Sequence, residues 1–210
     1  MSILIEIQEQ LQKGKAKVVA AKVEEALTAG VAPQQIMQSL LDGMGVVGER
    51  FKRDEVFVPD VMIAARAMNK GLAALKPHLL DSGIQPIGRA CIGTVKGDLH
   101  DIGKNLVKMM LEGRGIEVID LGVDVAPEVF IRTAQEKDCG IIGCSALLTT
   151  TMGAMEDVVK LADEAGIRGK VKIMVGGAPV DQRFCDQIGA DAYTRDAATA
   201  AEVAAAFLKG

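Results

Sequence analysis

Aromatic residues are scarce in this sequence. The 210 residues include five phenylalanines, one tyrosine and no tryptophan, so aromatic side chains make up only 3% of the chain. A binding groove lined by aromatic rings is therefore disfavoured. The 23 glycines and many alanines favour close packing of helices against a sheet, and an apolar fraction of 49% is ample for a core.

Long apolar runs and an excess of positive charge are also missing. No apolar run approaches the length of a membrane span, and Glu6 and Glu9 interrupt the region where a signal peptide would be apolar. The formal net charge of −4 provides no positive surface for nucleic acid or an anionic membrane. We therefore expect a cytoplasmic protein with neither nucleic acid nor a membrane as a partner.

Cysteine is limited to Cys91, Cys139, Cys144 and Cys185, and no two of them form a Cys-x-x-Cys pair. Three of these residues lie in or beside apolar segments, where a thiol behaves as a small buried hydrophobic group. This distribution indicates neither a zinc site nor a disulfide framework. All four cysteines are predicted to be structural.

Residues 1–80 show only helical periodicity. Gly14 and Gly30 are predicted to end the first two helices, Pro33 to open the third and Pro77 to end the fourth. Stripes at this spacing are typical of an antiparallel helix bundle. The apolar positions that carry this prediction are Leu4, Ile7, Leu11, Val19, Val23, Ala26, Ile36, Leu40, Val47, Phe51, Val61, Ala65, Met68, Leu72 and Leu75.

The pattern changes after residues 81–87, whose serine, glycine and proline are typical of a linker between domains. Apolar runs that predict strands occur at residues 88–95, 116–119, 140–144, 171–175 and 191–193. Helical patterns alternate with them near residues 103–114, 127–137, 152–166, 181–188 and 196–209.

This alternation predicts the fold class. Parallel strands need crossover connections, so repeated strand–helix units indicate a parallel sheet covered on both faces. We expect an α/β protein: a four-helix bundle cap domain at residues 1–80, a linker at 81–87, and a flavodoxin-like or Rossmann-like domain at 88–210. The predicted order of its five strands is 2-1-3-4-5, which places a ligand crevice at the carboxyl ends of strands 1 and 3.

Three polar or glycine-rich stretches follow strands 1, 3 and 4. They are Asp98-Leu99-His100-Asp101-Ile102-Gly103, the serine- and threonine-containing run from Ser145 to Thr151, and Gly176-Gly177. A neutral imidazole is a good metal ligand, and a carboxylate on its second nitrogen fixes its tautomer. Each stretch alone also has a structural interpretation, as a surface histidine, a helix cap and an ordinary turn. A flavin or nucleotide site is the alternative use of such a crevice.

The combination resembles a known family. Asp-x-His-x-x-Gly at 98–103, Ser-x-Leu at 145–147 and Gly-Gly at 176–177 are similar to the signature of base-off, histidine-on cobalamin-binding domains. The preceding helical segment resembles the cap of the methyltransferase branch, as in the cobalamin module of methionine synthase. The whole chain resembles stand-alone corrinoid proteins that serve methanol, methylamine or methoxylated-aromatic methyltransferases.

The resemblance implies roles for individual residues. His100 would replace the lower base of a cobalamin or related cobamide and bind cobalt, Asp98 would hold its other ring nitrogen, and Thr151 would contact that aspartate. These three would form a proton relay, in which protonation favours four-coordinate Co(I) and deprotonation favours methyl-Co(III). The other implied cofactor contacts are Leu99, Asp101, Ile102, Gly103, Ser145, Leu147, Thr149, Gly176 and Gly177.

The resemblance also implies a function and partners. The chain would be a methyl carrier that takes a methyl group from a substrate:corrinoid methyltransferase and passes it, through a methylcorrinoid:acceptor methyltransferase, to tetrahydrofolate or a thiol. A reductive activase is a further expected partner. Met62 and Met68 would cover the upper face of the cofactor, although a bundle-core role explains them equally well, and the linker would act as a hinge. Such a chain is a subunit of an enzyme system in one-carbon metabolism rather than a complete enzyme.

Two other classes share the same sheet domain. A cobalamin-dependent sensor or transcription regulator would need an output module such as a helix-turn-helix, and no basic recognition helix is visible. The small subunit of an adenosylcobalamin mutase is disfavoured because the four-helix cap would occlude the upper face of the cofactor.

Overall fold

The computed structural model describes residues 2–82 and 86–210. These residues fall into two units, one built from the N-terminal helices together with Gly113–Gly115 and the other from the remainder of 86–210. The first unit contains α1 (Ile3–Gln12), α2 (Ala16–Thr28), α3 (Pro33–Lys52) and α4 (Val58–Ser82). None of the helices in the described residues is both long and apolar enough to cross a membrane.

The helices of the first unit form because their apolar residues share one face. Most positions of the predicted stripes are buried, whereas Leu4, Phe51 and Leu72 are only half-buried. Tertiary packing of such a face supplies most of the stability of a helix. The fully or almost fully buried side chains are Ile7, Leu11, Val19, Val23, Ala26, Ile36, Leu40, Val61, Ala65, Met68 and Leu75.

The prediction that Pro77 ends the fourth helix is wrong. Helix α4 continues through Pro77 to Ser82. Proline removes one hydrogen bond and crowds the preceding turn, but it does not prevent the next residues from remaining helical. Leu75, two residues earlier, is fully buried in the bundle, and this packing outweighs the local loss. The predicted linker thus begins inside a helix, and residues 83–85 of it lie outside the described part of the chain.

The second unit is a parallel sheet with helices on both faces. Its strands are β1 (Arg89–Val95), β2 (Glu117–Val125), β3 (Ile141–Ser145), β4 (Lys172–Gly176) and β5 (Ala192–Tyr193), in the order β2-β1-β3-β4-β5. The helices are α5 (Ile102–Glu112), α6 (Pro127–Glu136), α7 (Gly153–Glu164), α8 (Gln182–Ile188) and α9 (Ala197–Lys209). The predicted fold class and strand order are confirmed. The four cysteines are free, buried thiols.

Strand β2 is longer than predicted. It continues past residue 119 to Val125, and its pairing with β1 contains two register shifts, between Ile92 and Gly93 and between Gly93 and Val95. The additional residues include Asp120, Gly122 and Asp124, which do not form an apolar run because an edge strand is only half buried.

The register of the central strands determines where the site lies. Thr94 of β1 pairs with Ser145 of β3, and Ser145 pairs with Gly176 of β4. The chain segments that follow these three residues therefore leave the sheet side by side. This is the crevice at which doubly wound sheets bind ligands.

Candidate functional site

The loop between β1 and α5 is held in a defined turn. Gly97 has a φ of +84°, a left-handed conformation that favours glycine, and the backbone N–H of Asp98 donates to the carbonyl of Val95 at 3.1 Å. The N–H of His100 donates to Asp98 Oδ1 at 3.0 Å. This side-chain-to-backbone bond is the local turn that aspartate characteristically stabilises.

The same carboxylate oxygen orients the imidazole of His100. Nδ1 lies 2.7 Å from Asp98 Oδ1. An ionised carboxylate can only accept, so Nδ1 carries the proton and Nε2 keeps its lone pair. The His100 side chain is 51% exposed whereas the Asp98 side chain is 0% exposed. The arrangement presents a metal-binding nitrogen to the crevice and supports it with a buried anion.

The second oxygen of Asp98 binds the segment that follows β3. Oδ2 accepts hydrogen bonds from the backbone N–H groups of Leu147 at 2.7 Å and Leu148 at 3.2 Å, and from the hydroxyl of Thr151 at 3.0 Å. Thr151 occupies a single turn of 3₁₀ helix, Thr149–Thr151, which precedes α7. One buried carboxylate thus connects two loops that are about 50 residues apart in sequence.

These contacts determine the charge of Asp98. Burial alone raises the pKa of a carboxyl group, but the hydrogen bonds donated by His100, Leu147 and Leu148 have the opposite effect and are stronger in sum. The pKa of Asp98 is therefore held well below its usual range. In the Asp98–His100 pair, the proton resides on the imidazole and the carboxylate remains anionic.

Apolar side chains are exposed beside the imidazole. Leu99 and Ile102 are 71% and 73% exposed, and Leu147 and Leu148 are 44% and 41% exposed. Exposed aliphatic groups around one metal-binding nitrogen indicate a surface that is covered by a ligand. Their position fits a large ring with apolar edges, such as a corrin, whose metal would be approached by His100.

The glycines of the crevice have different roles. A Cβ atom on Gly177, whose φ is +127°, would lie 1.8 Å from the carbonyl oxygen of Ala146, so glycine there is required by the close approach of the two chain segments. A Cβ on Gly103 would meet no atom within 4 Å, and one on Gly176 would meet only the carbonyl oxygen of Thr194, at 4.0 Å. Gly103 and Gly176 therefore leave open space beside the backbone, where a ligand could lie.

The remaining predicted site residues are placed as follows. Asp101 is exposed and accepts a hydrogen bond from the side chain of Asn105 at 3.0 Å. Ser145 is half-buried at the end of β3, and Thr149 is exposed on the 3₁₀ turn. In the helical unit, Met62 is 47% exposed and Met68 is buried in the bundle core. Contact of these residues with a cofactor stays a prediction.

Sequence reasoning missed two groups that hold the histidine loop. The hydroxyl of Thr94, which is completely buried in β1, donates to the carbonyl of His100 at 2.8 Å. The carboxylate of Asp124 accepts from the N–H of Gly97 at 2.7 Å. A lone threonine in an apolar run was a signal for the first group, because a buried hydroxyl needs a partner.

A buried lysine was missed as well. Lys104 of α5 is 3% exposed, and its Nζ lies 2.6 Å from Asp120 of β2 and 2.9 Å from the side-chain oxygen of Asn105. Lys108 contacts the other oxygen of Asp120 at 3.2 Å. Burial raises the pKa of Asp120, but the contacts with Lys104, the N–H of Gly122 and Lys108 together lower it more. This ion pair fixes α5 against the edge strand.

Comparison with known proteins identifies the family. Residues 88–206 and residues 4–76 each match a family described as a B12 binding domain. The chain is 43% identical to dimethylamine corrinoid protein 3 of Methanosarcina acetivorans, over 94% of this chain and 93% of that protein. It is 45% identical to trimethylamine corrinoid protein 1 of the same organism, over 85% of each.

A solved structure agrees with this result. A chain of the methanol:cobalamin methyltransferase complex from Methanosarcina barkeri matches with a TM-score of 0.89 and 33% identity, over 99% of this chain and 80% of that chain. The predicted corrinoid cofactor is confirmed by the B12-binding match, whose residues include the crevice described above. The chain belongs to the B12-binding domain family.

Proposed function

We propose that the protein is a corrinoid methyl carrier of a methyltransferase system. The relatives named above are corrinoid proteins for dimethylamine and trimethylamine, and the structural relative is a methanol:cobalamin methyltransferase complex. When bound, the corrinoid supplies a cobalt centre that accepts and releases a methyl group. The polypeptide supplies the lower ligand, its proton and the shape of the crevice.

The observation that carries this proposal is the contact between the buried carboxylate of Asp98 and the imidazole of His100. Asp98 Oδ1 lies 2.7 Å from Nδ1 of His100, and a proton on Nδ1 would leave Nε2 free to hold cobalt. The hydrogen bonds donated by His100, Leu147 and Leu148 hold the pKa of Asp98 low and keep it anionic. Asp98, His100 and Thr151 would together hold a proton beside the metal and so set how strongly the imidazole donates to it.

The proposal includes two protein partners and an activating protein. A substrate:corrinoid methyltransferase would donate the methyl group, and the names of the relatives make dimethylamine and trimethylamine the first donors to test, before methanol. A methylcorrinoid:acceptor methyltransferase would receive it for tetrahydrofolate or a thiol. A reductive activase would restore oxidised cobalt. A cytoplasmic location fits the free thiols.

The proposal is tested by loading the chain with hydroxocobalamin, removing the excess and recording absorption spectra. A retained chromophore that changes on reduction, and changes again when methyl iodide follows, is the expected result. A protein that stays colourless under anaerobic conditions would exclude corrinoid binding. A chromophore that does not respond to methyl iodide would exclude the methyl-carrier function.

The ligand assignment has a matched control in the chain's second histidine. In the Co(II) form, His100→Ala is expected to lose the splitting that an axial nitrogen adds to the electron paramagnetic resonance spectrum. His78→Ala, an exposed position on α4, should keep it. Unchanged splitting in His100→Ala would show that another group binds cobalt.

A further inference from the structure

Asp124 is strained in a way that matches a specific contact. Its φ is +53°, in the left-handed region, where a residue other than glycine is uncommon. In this conformation its side chain accepts the N–H of Gly97 at 2.7 Å, and its own N–H donates to the carbonyl of Asp98 at 2.9 Å. Asp124 lies on the neighbouring strand β2. From there it holds the backbone on both sides of the Gly97–Asp98 peptide.

Thr94 holds the other end of the same loop. Its buried hydroxyl donates to the carbonyl of His100 at 2.8 Å. The N–H of His100 is held separately by Asp98. The main chain of the histidine is therefore fixed on both sides of its Cα atom, and the imidazole can turn only about its side-chain bonds.

We propose that Thr94 and Asp124 are positioning residues for the histidine ligand: they hold the backbone of residues 97–100 so that Nε2 of His100 reaches the cobalt. This inference rests on the proposed function. Neither side chain touches the imidazole, and both act through the main chain. They differ in this respect from Asp98, which contacts the ring itself.

The surroundings of these two residues allow each contact to be removed with little change in packing. Asp124 is exposed at the end of an edge strand, so loss of its carboxylate leaves no cavity. Thr94 is in a wholly buried strand position, where valine has nearly the same shape and no polar group. Removal of either contact therefore acts mainly on the loop at residues 97–100 and not on the packing of the strands.

Each position offers a pair of variants that differ in one contact. Thr94→Val removes the hydroxyl and keeps the shape, whereas Thr94→Ser keeps the hydroxyl. Asp124→Gly removes the acceptor and relieves the left-handed strain, whereas Asp124→Asn keeps an oxygen acceptor and tolerates that conformation. Because Asp124 is exposed, the two Asp124 variants can be compared even if a Thr94 variant folds poorly.

The readout is competition for the lower face of the cobalt. Each variant is loaded with corrinoid, reduced to Co(II) and titrated with free imidazole carrying a nitrogen isotope with a different spin, so that protein and added ligand give different splitting patterns. In Thr94→Val and Asp124→Gly, half of His100 is expected to be replaced at an imidazole concentration about fivefold lower than in the wild type. This factor is the expected effect of losing one hydrogen bond of ordinary strength. Thr94→Ser and Asp124→Asn should match the wild type. Thermal unfolding of each protein without corrinoid serves as the stability control.

The outcomes separate the two proposals. Equal titration curves for the wild type, Thr94→Val and Asp124→Gly would overturn the positioning role and leave the methyl carrier intact. Equal shifts in both members of a pair would also overturn it, because the contact would then be irrelevant. A wild-type protein whose Co(II) shows no splitting from a protein nitrogen would overturn the histidine ligation itself, and the positioning role with it.

Discussion

Replacing Asp98 by asparagine is expected to detach His100 from cobalt although the side chain hardly changes size. Oδ1 faces the two donors of His100, and Oδ2 faces the donors of Leu147, Leu148 and Thr151. An amide has one oxygen, so its NH₂ group must face one of these sets. Two fixed backbone N–H groups lie on the Oδ2 side and one on the Oδ1 side. The amide oxygen is therefore expected to take the Oδ2 position.

The NH₂ group then faces the imidazole and reverses its proton arrangement. Nδ1 of His100 becomes an acceptor, and the proton moves to Nε2, the nitrogen that would bind cobalt. Loss of a group that orients a histidine ligand costs about 10–100-fold in metal affinity. The backbone N–H of His100 also loses its acceptor, which destabilises the fold by about 1–3 kcal/mol.

The assay is the Co(II) electron paramagnetic resonance spectrum of the loaded variant, with Asp101→Asn as the control. Asp101 also adjoins His100 in sequence, but its carboxylate is exposed and accepts from Asn105. Asp98→Asn should lose the axial-nitrogen splitting, and Asp101→Asn should keep it. Wild-type splitting in a folded Asp98→Asn protein would refute the assigned tautomer and the role of Asp98 in setting it.

Acid unfolding tests the same carboxylate without a cofactor. The pKa of Asp98 is lower in the folded protein than in the unfolded chain, where it is about 3.9. The stabilisation by the carboxylate is therefore fully present above the unfolded pKa and is lost as the pH falls through the folded pKa. Below about pH 4, the stability difference between the wild type and Asp98→Asn should shrink by up to about 1.4 kcal/mol per pH unit. A constant difference, measured by urea unfolding, would mean that the Asp98 carboxylate is not stabilised by folding.

Three further predictions concern the support of the crevice. Lys104→Ala is expected to destabilise the apoprotein by about 1–3 kcal/mol in urea unfolding because it removes the charged hydrogen bond to Asp120, which keeps its contacts with Lys108 and the N–H of Gly122. A loss below about 0.5 kcal/mol would contradict the importance of this pair. Gly177→Ala should cost about 3 kcal/mol or more, since its Cβ would collide with the carbonyl of Ala146. The methyl group added by Gly103→Ala would meet no atom of the described residues within 4 Å. This variant should therefore preserve apoprotein stability and weaken corrinoid retention. Unchanged retention would remove Gly103 from the predicted cofactor contacts.

The sequence predicted the sheet well because its signals are local. A buried central strand such as Ile141–Ser145 is a short apolar run, and glycine or proline often follows the helix that covers it. The strand order then follows from how crossover connections pack. The pattern failed at the edge strand β2, where Asp120 and Asp124 alternate with apolar residues, and at Pro77, where bundle packing overrides a local helix breaker.

The site was predictable only in part. Asp98, His100 and Thr151 could be proposed because their side-chain types and spacing resemble a family signature, and the structure brings the three together. The amides of Leu147 and Leu148 could not be proposed, because any residue has a backbone N–H and nothing in a leucine marks its use. Contacts made through the main chain become visible only when two distant segments are placed side by side.

The buried position of Asp98 explains why histidine orientation and loop geometry cannot be separated in this protein. A carboxylate removed from water must be supplied with donors, and here two donors come from the histidine and three from the segment after β3. If Leu147 and Leu148 move away from Oδ2, the pKa of Asp98 rises and its hold on Nδ1 weakens. A ligand that displaced these two amides would therefore change how Asp98 holds His100 without touching the imidazole, because the carboxylate lies between them.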